Sequence, residues 1–370
     1  MNPSAPIAPS TFPALSDPVG EPWPLELQML PPGPLTSAEL AEQVSPSLVR
    51  RHYRRIWHGM YRREDQADGL EIRSRALAKT FPDGVLRGRS AALMWGDDSA
   101  PEDAPPEIWL PATRRTRQGR VYRYGAMPGH AITEVDGVRV TTPLRTCRDL
   151  AMDLEFEDAV VSVEGLCAMV AELPAQLRAA AEHPSGRGAR DFEQVVRACD
   201  PRSVSAMSSR ARMVLADAGC GDFGHGHQVR LGRNMVELPL ADPVARCAVF
   251  TSPPPAPAPA SAVSTSASVR SGTSSQAGDT ESLRARRDRA SARHQSRLQG
   301  AGWTVIIVRE QARGAATLLP RPGTVPDIGP AGVPRRAAGL LAARWPATEI
   351  RLPAHGEAAS DPHGLWGSPW

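Results

Sequence analysis

Three kinds of side chain in this 370-residue sequence could do chemistry: clustered arginines, a glutamate inside a strand-like apolar run, and a histidine pair. Arg50, Arg51, Arg54 and Arg55 lie in the stretch 48–63, which contains no acid. Guanidinium groups placed this way suit phosphate contact, because each donates through a rigid planar fork. A second cationic run holds Arg284, Arg286, Arg287, Arg289, Arg293 and Arg297 with Asp288 as its one acid, and Arg284, Arg287 and Arg293 are taken as phosphate-contact candidates. Glu237 sits in Met235-Val236-Glu237-Leu238, which pairs in pattern with Arg246-Cys247-Ala248-Val249-Phe250. His225-Gly226-His227 has the form of a metal pair, but its glycines predict a loop and no Cys or acid stands at ligand spacing, so no metal is expected there.

Composition bounds the remaining classes. The chain is long enough for two or more domains with separate cores. The net charge of +3 neither demands nor excludes a nucleic-acid partner, and Lys79 is the only lysine, so abundance of Arg is uninformative and its clustering is what counts. Five cysteines, Cys147, Cys167, Cys199, Cys220 and Cys247, form no Cys-x-x-Cys pair, which predicts reduced thiols. The first 34 residues hold ten prolines and no apolar run of signal-peptide length, and no later stretch reaches the roughly 20 apolar residues of a membrane span. A cytoplasmic protein without membrane contact is expected.

The elements follow from caps and periodicity. Residues 1–34 read as a disordered leader. Thr36 and Glu39 have capping-box spacing and Leu35 can staple onto Leu40, so a helix begins there. Ser45-Pro46 opens a second helix, predicted over 46–57, with all four arginines on one side, and 35–63 reads as a helix-turn-helix of winged-helix type. A small α/β and helical region over 64–200 follows: helical pieces from Leu70 to Trp95 broken at Pro82-Asp83-Gly84, strands at 107–110 and 120–124, a hairpin about Asp136-Gly137, a helix opened by Thr142-Pro143, and an amphipathic helix carrying Ala159, Val160, Val163, Leu166 and Cys167. A third unit, 203–310, starts with a helix over 205–219 and is interrupted by a disordered insertion at 253–280. Residues 311–370 read as a mostly disordered tail with a short helical candidate from Pro334 to Trp345.

Laid end to end, these elements resemble bacterial proteins that join an AbiEi-like antitoxin region to a Vsr-like endonuclease domain. The N-terminal resemblance rests on Trp57-His58-Gly59-Met60-Tyr61, on Val85 to Ala92 and on Asp136 to Thr146. The C-terminal one rests on Met207-Ser208-Ser209-Arg210, Val236-Glu237-Leu238 and Gly302-Trp303 in that order. The fold class expected is α/β: an N-terminal helix-turn-helix, a small α/β domain, then a restriction-endonuclease-like mixed sheet flanked by helices.

The resemblance implies a magnesium-dependent phosphodiesterase site, in which carboxylates hold the ion that activates water. Its acid positions fall on Ser208, Glu237, Phe250 and Ser252, so only Glu237 keeps a carboxylate, and a phenyl ring or a hydroxyl does not replace anionic oxygen around a hard cation. The expectation is a non-catalytic DNA-binding or antitoxin-like regulator on a degenerate nuclease fold, needing no cofactor. The resemblance also implies a nucleotidyltransferase-type toxin as a possible partner. The alternatives are a magnesium-dependent endonuclease with a rebuilt site, in which Asp217, Asp222 or Asp242 joins Glu237, and a remnant without selected activity.

Overall fold

The computed structural model describes residues 29–115, 117–183, 185–203, 205–252, 294–309, 329–346 and 348–353, arranged as three packed units. In the first, β1 (Leu35–Thr36), α1 (Ser37–Gln43), α2 (Pro46–His52), β2 (Tyr53–Trp57) and β3 (Met60–Arg63) form a three-stranded sheet of order β1-β3-β2 with both helices between β1 and β2. The capping box is present: the Glu39 amide donates to the Thr36 hydroxyl at 3.2 Å and the Thr36 amide to the Glu39 carboxylate at 2.7 Å. Leu30, Leu35, Leu40, Val44 and Tyr53 make a small core. Leu30 to Pro34 are therefore structured, since the Tyr53 hydroxyl donates to the Pro31 carbonyl at 2.7 Å and Gln66 bonds both backbone groups of Gly33.

The second helix ends at His52, five residues before its predicted end at 57. Tyr53, Ile56 and Trp57 are strand formers, and β2 pairs with β3 through Tyr53, Arg54, Arg55 and Trp57, with the register shifting at Ile56. Arg50 and Arg51 thus stand on a helix and Arg54 and Arg55 on a strand.

The second unit contains α3 (Leu70–Thr80), β4 (Val85–Leu86), α4 (Gly88–Met94), β5 (Glu107–Leu110), β6 (Val121–Tyr124), β7 (Ile132–Val135), β8 (Val138–Thr141), α5 (Pro143–Asp153), α6 (Phe156–Met169), α7 (Leu173–Glu182) and α8 (Ala189–Ala198). Its mixed sheet runs β6-β5-β4-β8-β7. The predicted hairpin is present, with Asp136 and Gly137 both at positive φ, 50° and 72°, as a two-residue turn between twisted strands requires. Val85 and Leu86, at the start of the second predicted helical piece, form β4 instead, because β4 pairs with β5 and Leu86 also pairs with Val140 of β8. Arg87, buried where β4 meets α4, ties three elements together through Glu107 at 2.9 Å, Asp153 at 2.7 Å and Asp149 at 3.3 Å. Lys79 joins this unit to the first through Glu39 at 2.7 Å, and Arg120 stacks 3.9 Å over Trp57.

The third unit opens with α9 (Ala206–Asp217), capped by the Ser205 hydroxyl. A hairpin of β9 (His227–Leu231) and β10 (Asn234–Leu238) precedes a four-stranded mixed sheet of β11 (Leu240–Asp242), β12 (Cys247–Ser252), β13 (Thr304–Arg309) and β14 (Glu349–Arg351), in that spatial order. Only β12 and β13 run parallel. α9 and α11 (Gly329–Arg344) cover one face, and α10, over 294–300, covers the other with Leu298. The chain beyond 310 is therefore not all tail: α11 and β14 complete this unit, because Val333, Ala337, Ala338 and Leu341 bury an apolar stripe against α9 and the sheet. The insertion assigned to 253–280 lies outside the described residues. Among the described residues no helix is long and apolar enough to cross a membrane.

Asp97 provides a test of this packing. Burial between α4 and α6 pushes its carboxyl up to about 6, with bonds from the Ser99 amide and hydroxyl opposing the shift. The folded value lies above the unfolded one, so the carboxyl's stabilising contribution is complete below pH about 4 and lost as pH rises through about 6. Asp97→Asn keeps the shape without the titration. Urea unfolding should give equal stability for the variant and parent near pH 4 and an advantage of up to about 3 kcal/mol for the variant at pH 7.

Candidate functional site

The acid positions of the third unit do not converge. Ser208 is fully buried in α9, and its hydroxyl lies 3.3 Å from His225 Nδ1. That same nitrogen is 2.6 Å from the Pro239 carbonyl, which can only accept, so the ring proton sits on Nδ1. His225 Nε2 is then a bare acceptor, buried and without a partner. Burial pushes the His225 pKa below its ordinary value, which keeps the ring neutral.

Pro239 decides where Glu237 points. In one unbroken strand Glu237 would share a face with Ala241, two positions past the proline. Instead Val236 and Leu238 join Ala241 in the apolar cluster with Ala248, Phe250, Leu298 and Trp303, so the alternation shifts by one residue at the proline. Glu237 is turned outward, exposed beside Gln228, whose side chain donates to it at 3.4 Å. Phe250 packs on the opposite side, against the apolar cluster. Ser252 closes β12 opposite Arg309.

The candidate replacements are engaged elsewhere or remote. Asp242 is buried and accepts from the amides of Asp222, Val244 and Ala245, all at 2.9 Å, so its carboxylate shapes the turns around β11. Asp242 stands on β11, beyond the break at Pro239, and in a different sheet from Glu237. Asp217 and Asp222 are exposed. His227 stacks on Trp303 with ring centres 5.9 Å apart while His225 turns inward, so the histidine pair diverges. Among the described residues no group of three or more His, Cys, Asp or Glu is placed to hold a metal ion. One exposed carboxylate, a buried hydroxyl and a phenyl ring do not fit magnesium, which takes oxygen ligands in near-octahedral geometry.

Around Ser208 the structure builds a junction between units. Arg212, one turn further along α9, pairs with Glu164 of α6, whose carboxylate also accepts from the Asp200 amide at 2.7 Å. Arg210 grips Glu157 at 2.8 Å and Asp158 at 2.7 Å. Asp200 accepts from the His225 amide at 3.2 Å and pairs with Arg202 at 2.9 Å. Burial acts to raise its pKa, and these bonds outweigh burial and hold it low. Neither His225 nor Glu164 stood out in the sequence as part of a network. Pro239 was the available signal, since a proline inside a strand-like run marks an edge or a break.

The cationic surface of the first unit is better formed. Ser47, Arg50 and Arg51 lie exposed on one side of α2, and Arg54 and Arg55 are exposed on β2. Arg54 is neutralised by Glu64 at 2.7 Å, and Glu64 also holds His52 at 2.8 Å. Arg284, Arg287 and Arg293 lie outside the described residues. The five cysteines are free thiols, and only Cys199 is partly exposed.

Removing one partner of the Glu164–Arg212 pair leaves a charge stranded in the junction. Glu164→Ala should lose about 3–5 kcal/mol in urea unfolding, and Glu164→Leu with Arg212→Met should recover most of it. An equal loss in both proteins would show that shape, not charge, holds α9 to α6. Compared with protein-family models, curated proteins and solved structures, the chain matches none.

Proposed function

We propose that this chain is a non-catalytic DNA-binding regulator of antitoxin type, whose first unit contacts DNA and whose third unit is a degenerate endonuclease-like domain. What carries the reading is the order β1-β3-β2 with α1 and α2 between β1 and β2, bearing exposed Arg50 and Arg55 that no carboxylate neutralises among the described residues. That arrangement is the one expected of a winged helix. α2 then enters the major groove with Ser47, Arg50 and Arg51 forward, and the β2–β3 hairpin lays Arg55 along the phosphates.

The mixed sheet with parallel β12 and β13 and helices on both faces supports an endonuclease-like ancestry for the third unit. The outward turn of Glu237 and the packing of Phe250 against the apolar cluster support the loss of cleavage. The resemblance read from the sequence supports a nucleotidyltransferase-type toxin as the protein partner.

Duplex binding measured by fluorescence anisotropy should fall steeply with salt, by about 0.9 in log-log slope for each phosphate contacted. Arg50→Ala with Arg55→Ala should weaken it at least about tenfold without changing the melting temperature, because exposed arginines contribute little to stability. Equal affinity of variant and parent removes the first unit from the interface. Supercoiled plasmid incubated with magnesium or manganese should stay intact, and cleavage that Glu237→Ala abolishes would overturn the non-catalytic part.

A further inference from the structure

The turn between β9 and β10 and the end of α10 enclose an open cleft of about 510 Å³ whose cations are Arg230, Arg233 and Arg297. Gly232, at φ +67°, is the first of two turn residues joining Leu231 to Asn234, where a two-residue hairpin needs a left-handed residue. Arg233 follows it at the tip. Val229 and Leu231 pack inward on the cluster that contains Leu298 and Trp303, which pins the hairpin to α10. Arg230, between them in the alternation, is exposed, and so is Arg297, the neighbour of Leu298.

The cleft lacks the acids that neutralise exposed arginines elsewhere. Arg54 is tied to Glu64, Arg123 to Asp153, Arg197 to Glu193 and Arg202 to Asp200. Among the described residues no carboxylate lines the cleft, and Arg230 bonds only weakly to the Gly232 carbonyl at 3.4 Å. The acid of the hairpin, Glu237, lies at the far end of β10 beside Gln228. A helix C-terminus would ordinarily repel an anion through its free carbonyls. Here the carbonyls of Arg297, Leu298 and Gln299 accept from the amides of Ala301, Trp303 and Gly302, so the arginines dominate the local field.

From this geometry we infer that the cleft binds the phosphate backbone of a nucleic acid, as a second contact separate from α2 and β2. It extends the DNA-binding reading above without using any residue of it. Three unneutralised guanidinium groups on two elements favour a polyanion over a single small anion, which an open cleft does not enclose. A membrane surface would require apolar anchors beside the cations, and Met235 is the one large apolar side chain exposed on the hairpin. Arginine forks and the Asn234 amide fit phosphodiester oxygens.

The test uses the full chain and a labelled duplex of about 20 base pairs, titrated between about 50 and 200 mM salt. Four proteins are compared: the parent, Arg50→Ala/Arg55→Ala, Arg233→Ala/Arg297→Ala, and all four changes together. The cleft pair should weaken binding at least about tenfold and reduce the log-log salt slope by about 2, in the parent and in the Arg50/Arg55 background, with the melting temperature unchanged. If only the Arg50/Arg55 pair matters, the cleft inference falls and the first-unit reading stands. If only the cleft pair matters, the reverse holds. A parent that binds no duplex overturns both, and phosphatidylserine vesicles bound through Arg233 and Arg297 would then identify a membrane as the occupant.

Discussion

The third unit depends on the docking of α9 against α6. One side of α9 carries Ala211, Val214, Leu215 and Ala218 into the core beneath the four-stranded sheet. The other side sends Met213 into the helical core of the second unit and Arg210 and Arg212 onto carboxylates of α6. A helix apolar on two sides must be covered on both, so neither unit has a complete surface without the other. The buried Arg212–Glu164 pair adds orientation more than net energy, since desolvation offsets much of its attraction.

From that junction the geometry reaches the acid positions of the sheet. Ser208 lies on the same helix and contacts His225, and His225 donates to the Pro239 carbonyl at the break between β10 and β11. The proline has no amide to offer a neighbouring strand. The alternation slips there by one residue, and a one-residue slip moves a strand's side chains to its other face. Glu237 is left in solvent while the corresponding position on β12, Phe250, packs against apolar side chains. The four positions thus hold a single carboxylate and do not converge, and one added carboxylate alone would not make a magnesium site there.

Charge in this chain is organised locally. A net charge of +3 conceals the neutralised arginines of the unit junctions, the Arg87 cluster of three carboxylates, and the exposed guanidinium groups of Arg50, Arg55, Arg230 and Arg233. Field at a surface follows the unneutralised groups, so net charge says little about where this surface is positive.

Local signals in the sequence determined much of the first two units. The Thr36–Glu39 capping box, the Asp136-Gly137 hairpin, the Thr142-Pro143 helix start and the period of α6 each involve neighbours within about four residues, and each appears where it was read. The clustering of arginines was equally legible, but not the elements that carry them: helix 46–57 became α2 and β2 because pairing with β3, a partner contributed from further along the chain, outweighed local helical period. The outward turn of Glu237, the recruitment of His225 and Glu164, and the return of α11 and β14 to the sheet were decided only in the tertiary structure. The partners of His225, Glu164 and α11 lie from 14 to more than 100 residues away, and burial energy between such positions leaves no mark in the local pattern, whereas the turn of Glu237 had Pro239 as its local trace.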